Sequence, residues 1–356
     1  MLDRRTRVLR RVFRGAGWLV VRLMTRTTIS GREYLQTEGP AIFAANHTST
    51  FDALLLITLL PPDSIFIGPG DFKLLWPANM VIKYAGLILM KRGSVDREGL
   101  KRMIDALNGG GRLAMFPEGG TWEKPIHDVK SGLNYLSLTT GARIVPMGFS
   151  ETYQIWVRML KLQFPRVTVK IGPPLPPTVS TDRKRRQEEL QMAAVDLMMT
   201  IYALMSPETQ AFYDQQARLT FSGALCFQPD GITAPDVPLA ALAELVSKPN
   251  LFSPLHRNAR LPVRPFVRLG RYFPAPRMKR AVDALQGAFA EGDFAGYLEY
   301  RLGEGKAAEI RAALAAISAA LEGAGREVRV AFVATVGEDS PILKTPAIPR
   351  KNRQRP

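Results

Sequence analysis

Cysteine occurs once in the 356 residues, at Cys226. A single thiol excludes a disulfide framework within the chain and suits a cytoplasmic setting. Acidic residues are outnumbered, 32 against 48 lysines and arginines, giving a formal charge of +16. That charge calls for an acidic partner, and nucleic acid and anionic lipid surfaces are the two usual classes. The sequence contains no helix-turn-helix, zinc knuckle or aromatic-rich RNA-binding motif. No nucleic acid is therefore expected as a partner, and a lipid surface is favoured.

The N-terminus sharpens that choice. Residues 1–26 hold eight arginines against one acid, Asp3. Between them Val8, Leu9, Val12, Phe13, Ala16, Leu19, Val20 and Leu23 recur at helical spacing. No apolar stretch there approaches the ~20 residues that a bilayer-spanning helix needs. A signal peptide is also disfavoured, because a convincing apolar core and cleavage site are lacking. Residues 1–27 are expected to form a basic amphipathic helix on an anionic membrane surface. Each arginine there would add about 1 kcal/mol of attraction. An ordinary docked helix is the alternative. The expected location is peripheral, at the cytoplasmic face of the membrane.

With 46% apolar residues, the chain can bury one main domain and an appendage. Strand-like runs at 41–45, 64–67, 86–90, 112–116, 143–149 and 166–171 alternate with helical patterns near 53–60, 72–84, 97–108 and 130–140. The alternation predicts a layered α/β fold over residues 28–215, with site motifs converging at strand ends. Pro173-Pro174-Leu175-Pro176-Pro177 breaks the pattern, and a helix near 181–205 follows, with Arg183-Lys184-Arg185-Arg186 at its start. Helical runs at 237–245, 277–289 and 307–321, with a strand-like 328–336, predict a mainly helical appendage over 216–340. A substrate lid and a partner-docking module are equally open for it. The basic tail 341–356 is expected to be disordered.

Chemistry enters at Asn46-His47-Thr48-Ser49-Thr50-Phe51-Asp52, which follows the apolar run Ala41–Ala45. A histidine leaving a strand and an aspartate opening the next helix can meet across the turn. The carboxylate would hold one ring nitrogen and leave the other free to take a proton from a hydroxyl. Alone the pair is a weak signal. At the chain's acid content, three histidines give some such pair about one time in four. The simpler alternative is that His47 caps a turn and Asp52 caps a helix.

Three further blocks follow in order. Gly86-Leu87-Ile88-Leu89-Met90-Lys91-Arg92 is an apolar run that ends in two cations. Phe116-Pro117-Glu118-Gly119 leaves the strand Arg112–Phe116. Ile144-Val145-Pro146 is a strand preceded by Lys130-Ser131-Gly132. Together these blocks resemble those of the glycerolipid acyltransferase family, typified by bacterial lysophosphatidate acyltransferases. The resemblance spans about residues 28–215 and takes in Leu204-Met205-Ser206-Pro207-Glu208 at its close.

The resemblance implies acyl transfer from a thioester donor, acyl-CoA or acyl carrier protein, to the hydroxyl of a lysophospholipid. The most favoured acceptor is 1-acylglycerol-3-phosphate, giving phosphatidate. His47 would be the general base and Asp52 its orienting partner, with no metal or bound cofactor needed. The pair is in any case too sparse for a zinc site. Arg92 would bind the acceptor phosphate, since its donor fork matches phosphate oxygens. Asn46 and backbone amides near Gly119 are candidates for the oxyanion, while Phe116, Pro117, Glu118, Gly119 and Lys130 would complete the substrate site. Family members often read Glu-Gly-Thr-Arg where this chain reads Glu118-Gly119-Gly120-Thr121-Trp122, so the acceptor head group stays open. Glycerol-3-phosphate, a non-phosphorylated glycolipid or aminolipid, and a non-catalytic basic membrane binder are the alternatives. His127 and His256 have no such company and read as surface and structural residues.

Overall fold

Ala41-Ile42-Phe43-Ala44-Ala45 is apolar at every position, the pattern of a strand covered on both faces. In the computed structural model this strand lies at the centre of a seven-stranded sheet, fully buried. The structure describes residues 4–70, 87–91, 96–120, 126, 129–228, 238–247, 266, 272–290, 294–322 and 327–336. The expected helix at 72–84, Gly86, Arg92, His127, His256 and the basic tail all lie outside the described residues.

Across the sheet the order is β1 (Arg26–Ser30), β7 (Arg166–Ile171), β6 (Arg143–Ser150), β2 (Ala41–Ala45), β5 (Arg112–Met115), β3 (Ile65–Pro69) and β4 (Ile88–Met90). β6, β2, β5, β3 and β4 run parallel, so their C-terminal ends meet on one edge. β7 runs antiparallel to β6, and β1 lies parallel to β7. All six expected strands are present, with ends shifted by a few residues. β1 is additional. Its sequence, Arg-Thr-Thr-Ile-Ser, is short and polar, as an edge strand with one neighbour tolerates.

Helices cover both faces. On one face Phe43 and Ala45 pack with Val21 of α1 (Arg4–Met24), Phe51 and Leu55 of α2 (Thr50–Leu59) and Ile155 of α5 (Ile155–Leu160). On the other, Ile42 and Ala44 pack with Met103 and Leu107 of α3 (Arg97–Asn108), and with Leu133 of α4 (Gly132–Thr140). Leu197 and Ile201 of α6 (Arg186–Leu204) and Tyr213 of α7 (Pro207–Ala217) complete that layer. The architecture is thus the expected α/β layering. Arg183-Lys184-Arg185-Arg186 lies at the far end of α6, about 28 Å of helix from Leu204, which packs on Gly148 near the site edge.

The N-terminal helix is docked, the alternative that its sequence left open, and it keeps a second apolar stripe on the outside. One stripe docks on α2. Arg10 is buried and donates to the Ser64 carbonyl at 2.9 Å, and Arg14 donates to the Thr58 carbonyl at 3.3 Å. Gly17 admits Leu54 and Thr58 against the helix backbone. Burial lowers the pKa of both guanidiniums. The other stripe, Val8, Val12, Leu19 and Leu23, is exposed. No described helix is long and apolar enough to cross a membrane.

The C-terminal region holds its own core. A three-stranded antiparallel sheet, ordered β8 (Leu219–Gln228), β10 (Glu327–Val336), β9 (Phe273–Pro274), packs against α8 (Ala240–Ser247), α9 (Ala275–Ala290), α10 (Phe294–Leu302) and α11 (Lys306–Leu321). The helices match the expected runs, and α10 is added to them. β8 falls outside the expected elements, although Leu219, Phe221, Leu225 and Phe227 alternate at period two.

Candidate active site

β2 ends at Ala45, and the chain turns directly into α2. Ser49 caps that helix with extended backbone, and Asp52, at its third position, accepts the Ser49 N–H in a capping box. The same oxygen, Asp52 Oδ2, accepts the Thr48 N–H at 2.8 Å and lies 3.2 Å from His47 Nδ1. Asp52 therefore both caps the helix and pairs with the histidine: the cap fixes the carboxylate beside the imidazole. An ionised carboxylate only accepts, so the hydrogen of the pair sits on Nδ1 and the lone pair on Nε2. Asp52 is fully buried, while the His47 side chain keeps 12% of its surface exposed.

The strand end after β5 holds the imidazole from the side. The Phe116 ring stacks on His47 with centroids 3.7 Å apart and planes 7° from parallel. Two residues on, Glu118 is buried, and its Oε1 accepts the His47 backbone N–H at 2.6 Å. Sequence therefore placed Phe116 and Glu118 in the right neighbourhood. The structure puts them against the histidine: one stacks on its ring, and the other bonds its backbone. Pro117 is buried, and its carbonyl accepts the Lys130 N–H at 3.3 Å, tying the two loops together.

Tyr213, which the motifs do not signal, completes the support. Its hydroxyl donates to Glu118 Oε1 at 2.9 Å across 95 residues of sequence. Burial first, and then the Glu118 charge, pushes its pKa well above the ordinary tyrosine value. A raised folded-state pKa means that folding favours the protonated phenol. That contribution is complete below about pH 10, where unfolded tyrosine is also protonated, and is lost as pH rises through the folded value. Tyr213→Phe is expected to lower the unfolding free energy at pH 7 by about 1–3 kcal/mol, the cost of removing one donor from a buried acceptor. The gap to wild type should narrow above pH 10 in urea titrations. A gap that is constant with pH would show that the phenol proton is not what the core holds.

Asn46 is fully buried, and both ends of its amide are taken by β6, donating to the Phe149 carbonyl at 2.9 Å and accepting its N–H at 2.7 Å. The Gly119 N–H donates to the Phe116 carbonyl at 3.0 Å. The Asn46 amide and the Gly119 N–H thus each hold a bond within the turn or to β6. Gly119 itself has φ +75° and lies against the Tyr300 hydroxyl of α10, where a Cβ would collide. Lys130 is exposed, with Nζ 5.1 Å from the Tyr300 ring centroid. The C-terminal region therefore reaches the edge of the site, which no motif in the sequence announces. Thr48 and Thr152 share a hydroxyl contact at 3.0 Å, bringing the end of β6 to the same edge.

The family model described as Acyltransferase matches residues 26–150. Among curated proteins, a 1-acyl-sn-glycerol-3-phosphate acyltransferase of Cocos nucifera is 27% identical over 194 residues, 51% of this chain and 58% of that protein. The match thus spans little more than half of the relative's length. Among solved structures, the crystal structure of the 1-acyl-sn-glycerophosphate (LPA) acyltransferase of Thermotoga maritima aligns with a TM-score of 0.42 at 21% identity. It covers 57% of this chain and 84% of that one. His47, Asp52, the Phe116–Gly119 turn and Lys130 all fall inside the residues that the family model matches.

Proposed function

We propose that the protein transfers a fatty acyl chain from a thioester to the free hydroxyl of a lysophospholipid, most favourably 1-acylglycerol-3-phosphate to give phosphatidate. The observation that carries this reading is the pairing of His47 with a buried, capped Asp52 at 3.2 Å, at the C-terminal edge of the parallel strands. Nε2 takes the proton of the acceptor hydroxyl as its oxygen attacks the thioester carbonyl. The carbon–sulfur bond then breaks, and the departing thiolate recovers the proton from the imidazolium. Asp52 stabilises that imidazolium and holds the tautomer that starts the reaction. Phe116 and Glu118 fix the ring and backbone of His47, and Tyr213 fixes Glu118.

The donor, acyl-CoA or acyl carrier protein, enters as a co-substrate, and the chemistry draws on no resident cofactor. Lys130, exposed beside Tyr300 at the site edge, is the described cation best placed for an anionic head group, and Arg92 is assigned the same task on its motif alone. The exposed stripe of α1 brings the enzyme to an anionic membrane at the cytoplasmic face, where the acceptor resides.

Thiol release from acyl-CoA tests the reading directly. Release should depend on added lysophosphatidate and yield phosphatidate. Release that ignores the acceptor would make the site a thioesterase. No release with either donor class across phosphorylated and non-phosphorylated acceptors would remove the enzyme reading.

A further inference from the structure

Among the described residues fifteen large apolar side chains are exposed, and ten of them fall in two short segments. Five are on α1. The other five are Trp156, Val157, Leu160, Leu162 and Phe164, on α5 and the turn that leads into β7. Leu160 and Leu162, at 82% and 65% exposed, point out of a segment with no structural reason to be apolar. The described non-glycine residues with positive φ flank this helix, Glu151 and Gln154 just before it and Leu162 and Phe164 in the turn after it. Such backbone costs about 1–3 kcal/mol at each position, so the projection is held by its surroundings and not by local preference.

Two contacts fix where it points. Trp156 Nε1 donates to Thr50 Oγ1 at 2.8 Å, and the indole meets Phe51 edge-on, so α5 is seated on the first turn of α2, three residues from His47. At the other end the Arg26 N–H donates to the Pro165 carbonyl at 2.9 Å, which joins the turn to the exit of α1. Docking of Arg14 and Gly17 on Thr58 sets α1 antiparallel to α2 and brings its exposed Leu19 and Leu23 towards this same end. Arg158, Lys161 and Arg166 flank the apolar tips, and no acidic residue occurs between Thr152 and Thr181.

We propose that the Trp156–Phe164 projection inserts into an anionic phospholipid bilayer as a second contact beside α1. Apolar tips ringed by cations match the interface, where alkyl groups enter the acyl boundary and guanidinium and ammonium groups meet the head groups. Because α5 rests on α2 next to His47, insertion there turns the site edge toward the lipid. The acyl-transfer reading explains why that orientation would matter, but insertion itself does not depend on it.

The test reads insertion without turnover. In the full chain carrying Cys226→Ser and Leu160→Cys, an environment-sensitive nitrobenzoxadiazole dye on the new thiol should shift to the blue and brighten several-fold with phosphatidylglycerol-containing vesicles. Pure phosphatidylcholine vesicles should give a much smaller change. In the unlabelled chain Leu160→Asp with Leu162→Asp should weaken vesicle sedimentation at least tenfold, whereas Met192→Asp, an exposed site on α6, should leave it unchanged. A dye that stays water-exposed while the protein sediments would overturn the proposal and leave α1 as the only contact. A blue shift that follows protein concentration without vesicles would overturn it too, by assigning the face to a second copy of the chain.

Discussion

His47→Ala is expected to slow acyl transfer by about 10²–10⁴-fold with little change in folding, the range a positioned general base supplies. The fold should survive because the carboxylate that caps α2 belongs to Asp52, and Glu118 is held by the backbone N–H at position 47, which alanine keeps. Asp52 separates two roles. In Asp52→Asn the amide oxygen can take the place of Oδ2 and keep the Thr48, Ser49 and His47 contacts, so the charge beside the imidazolium is lost while the cap stays, at the cost of an amide NH2 in the buried, partnerless place of Oδ1. Asp52→Ala also removes the cap, at about 1 kcal/mol of stability. Asparagine should therefore lower turnover while the melting temperature stays within a few degrees, and alanine should lower both. Steady-state thiol release and thermal melts on the three variants check this. Turnover in His47→Ala within a factor of a few of wild type would sink the mechanism.

Gly119→Ala should also cut turnover, by about tenfold to a hundredfold, through two separable causes. An L-residue at φ +75° costs about 1–2 kcal/mol in the left-handed region. The new methyl would also collide with the Tyr300 hydroxyl. Glu118, one residue earlier, holds the backbone of His47, so either distortion is transmitted to the base. Displacements of about 1 Å in a catalytic array are enough to cost 10²-fold. Adding Tyr300→Ala to Gly119→Ala removes the collision and leaves the backbone cost, so activity should recover in part. A double variant no better than the single one would show that α10 does not press on this turn in solution.

Much of the fold was legible because its cues are local. Ala41–Ala45 and Arg143–Ser150 announce central strands by apolar runs. β1 and β8 escaped for different reasons. β1 is too short and polar to stand out, while the alternation in β8 was present in the sequence and outweighed by the helical runs around it. His47, Asp52, Phe116 and Glu118 were legible as a set because four blocks recur in a known order, although no single block would have sufficed.

The sequence by itself determined the charge, the single thiol, the α/β alternation and the short spacing of His47 and Asp52, since each is written in composition or in spacings shorter than one turn and one helix. What the partners do was decided only in three dimensions. That Asn46 ties β2 to β6, that Tyr213 reaches Glu118 across 95 residues, and that Tyr300 closes on Gly119 all depend on chain crossings that no local period encodes. The same holds for α1. The sequence of residues 1–26 gives eight arginines and an apolar periodicity, but packing against α2 buried Arg10 and left Val8, Val12, Leu19 and Leu23 outside. Periodicity tells a helix that it has two faces, and only its neighbour in space decides which of them meets solvent.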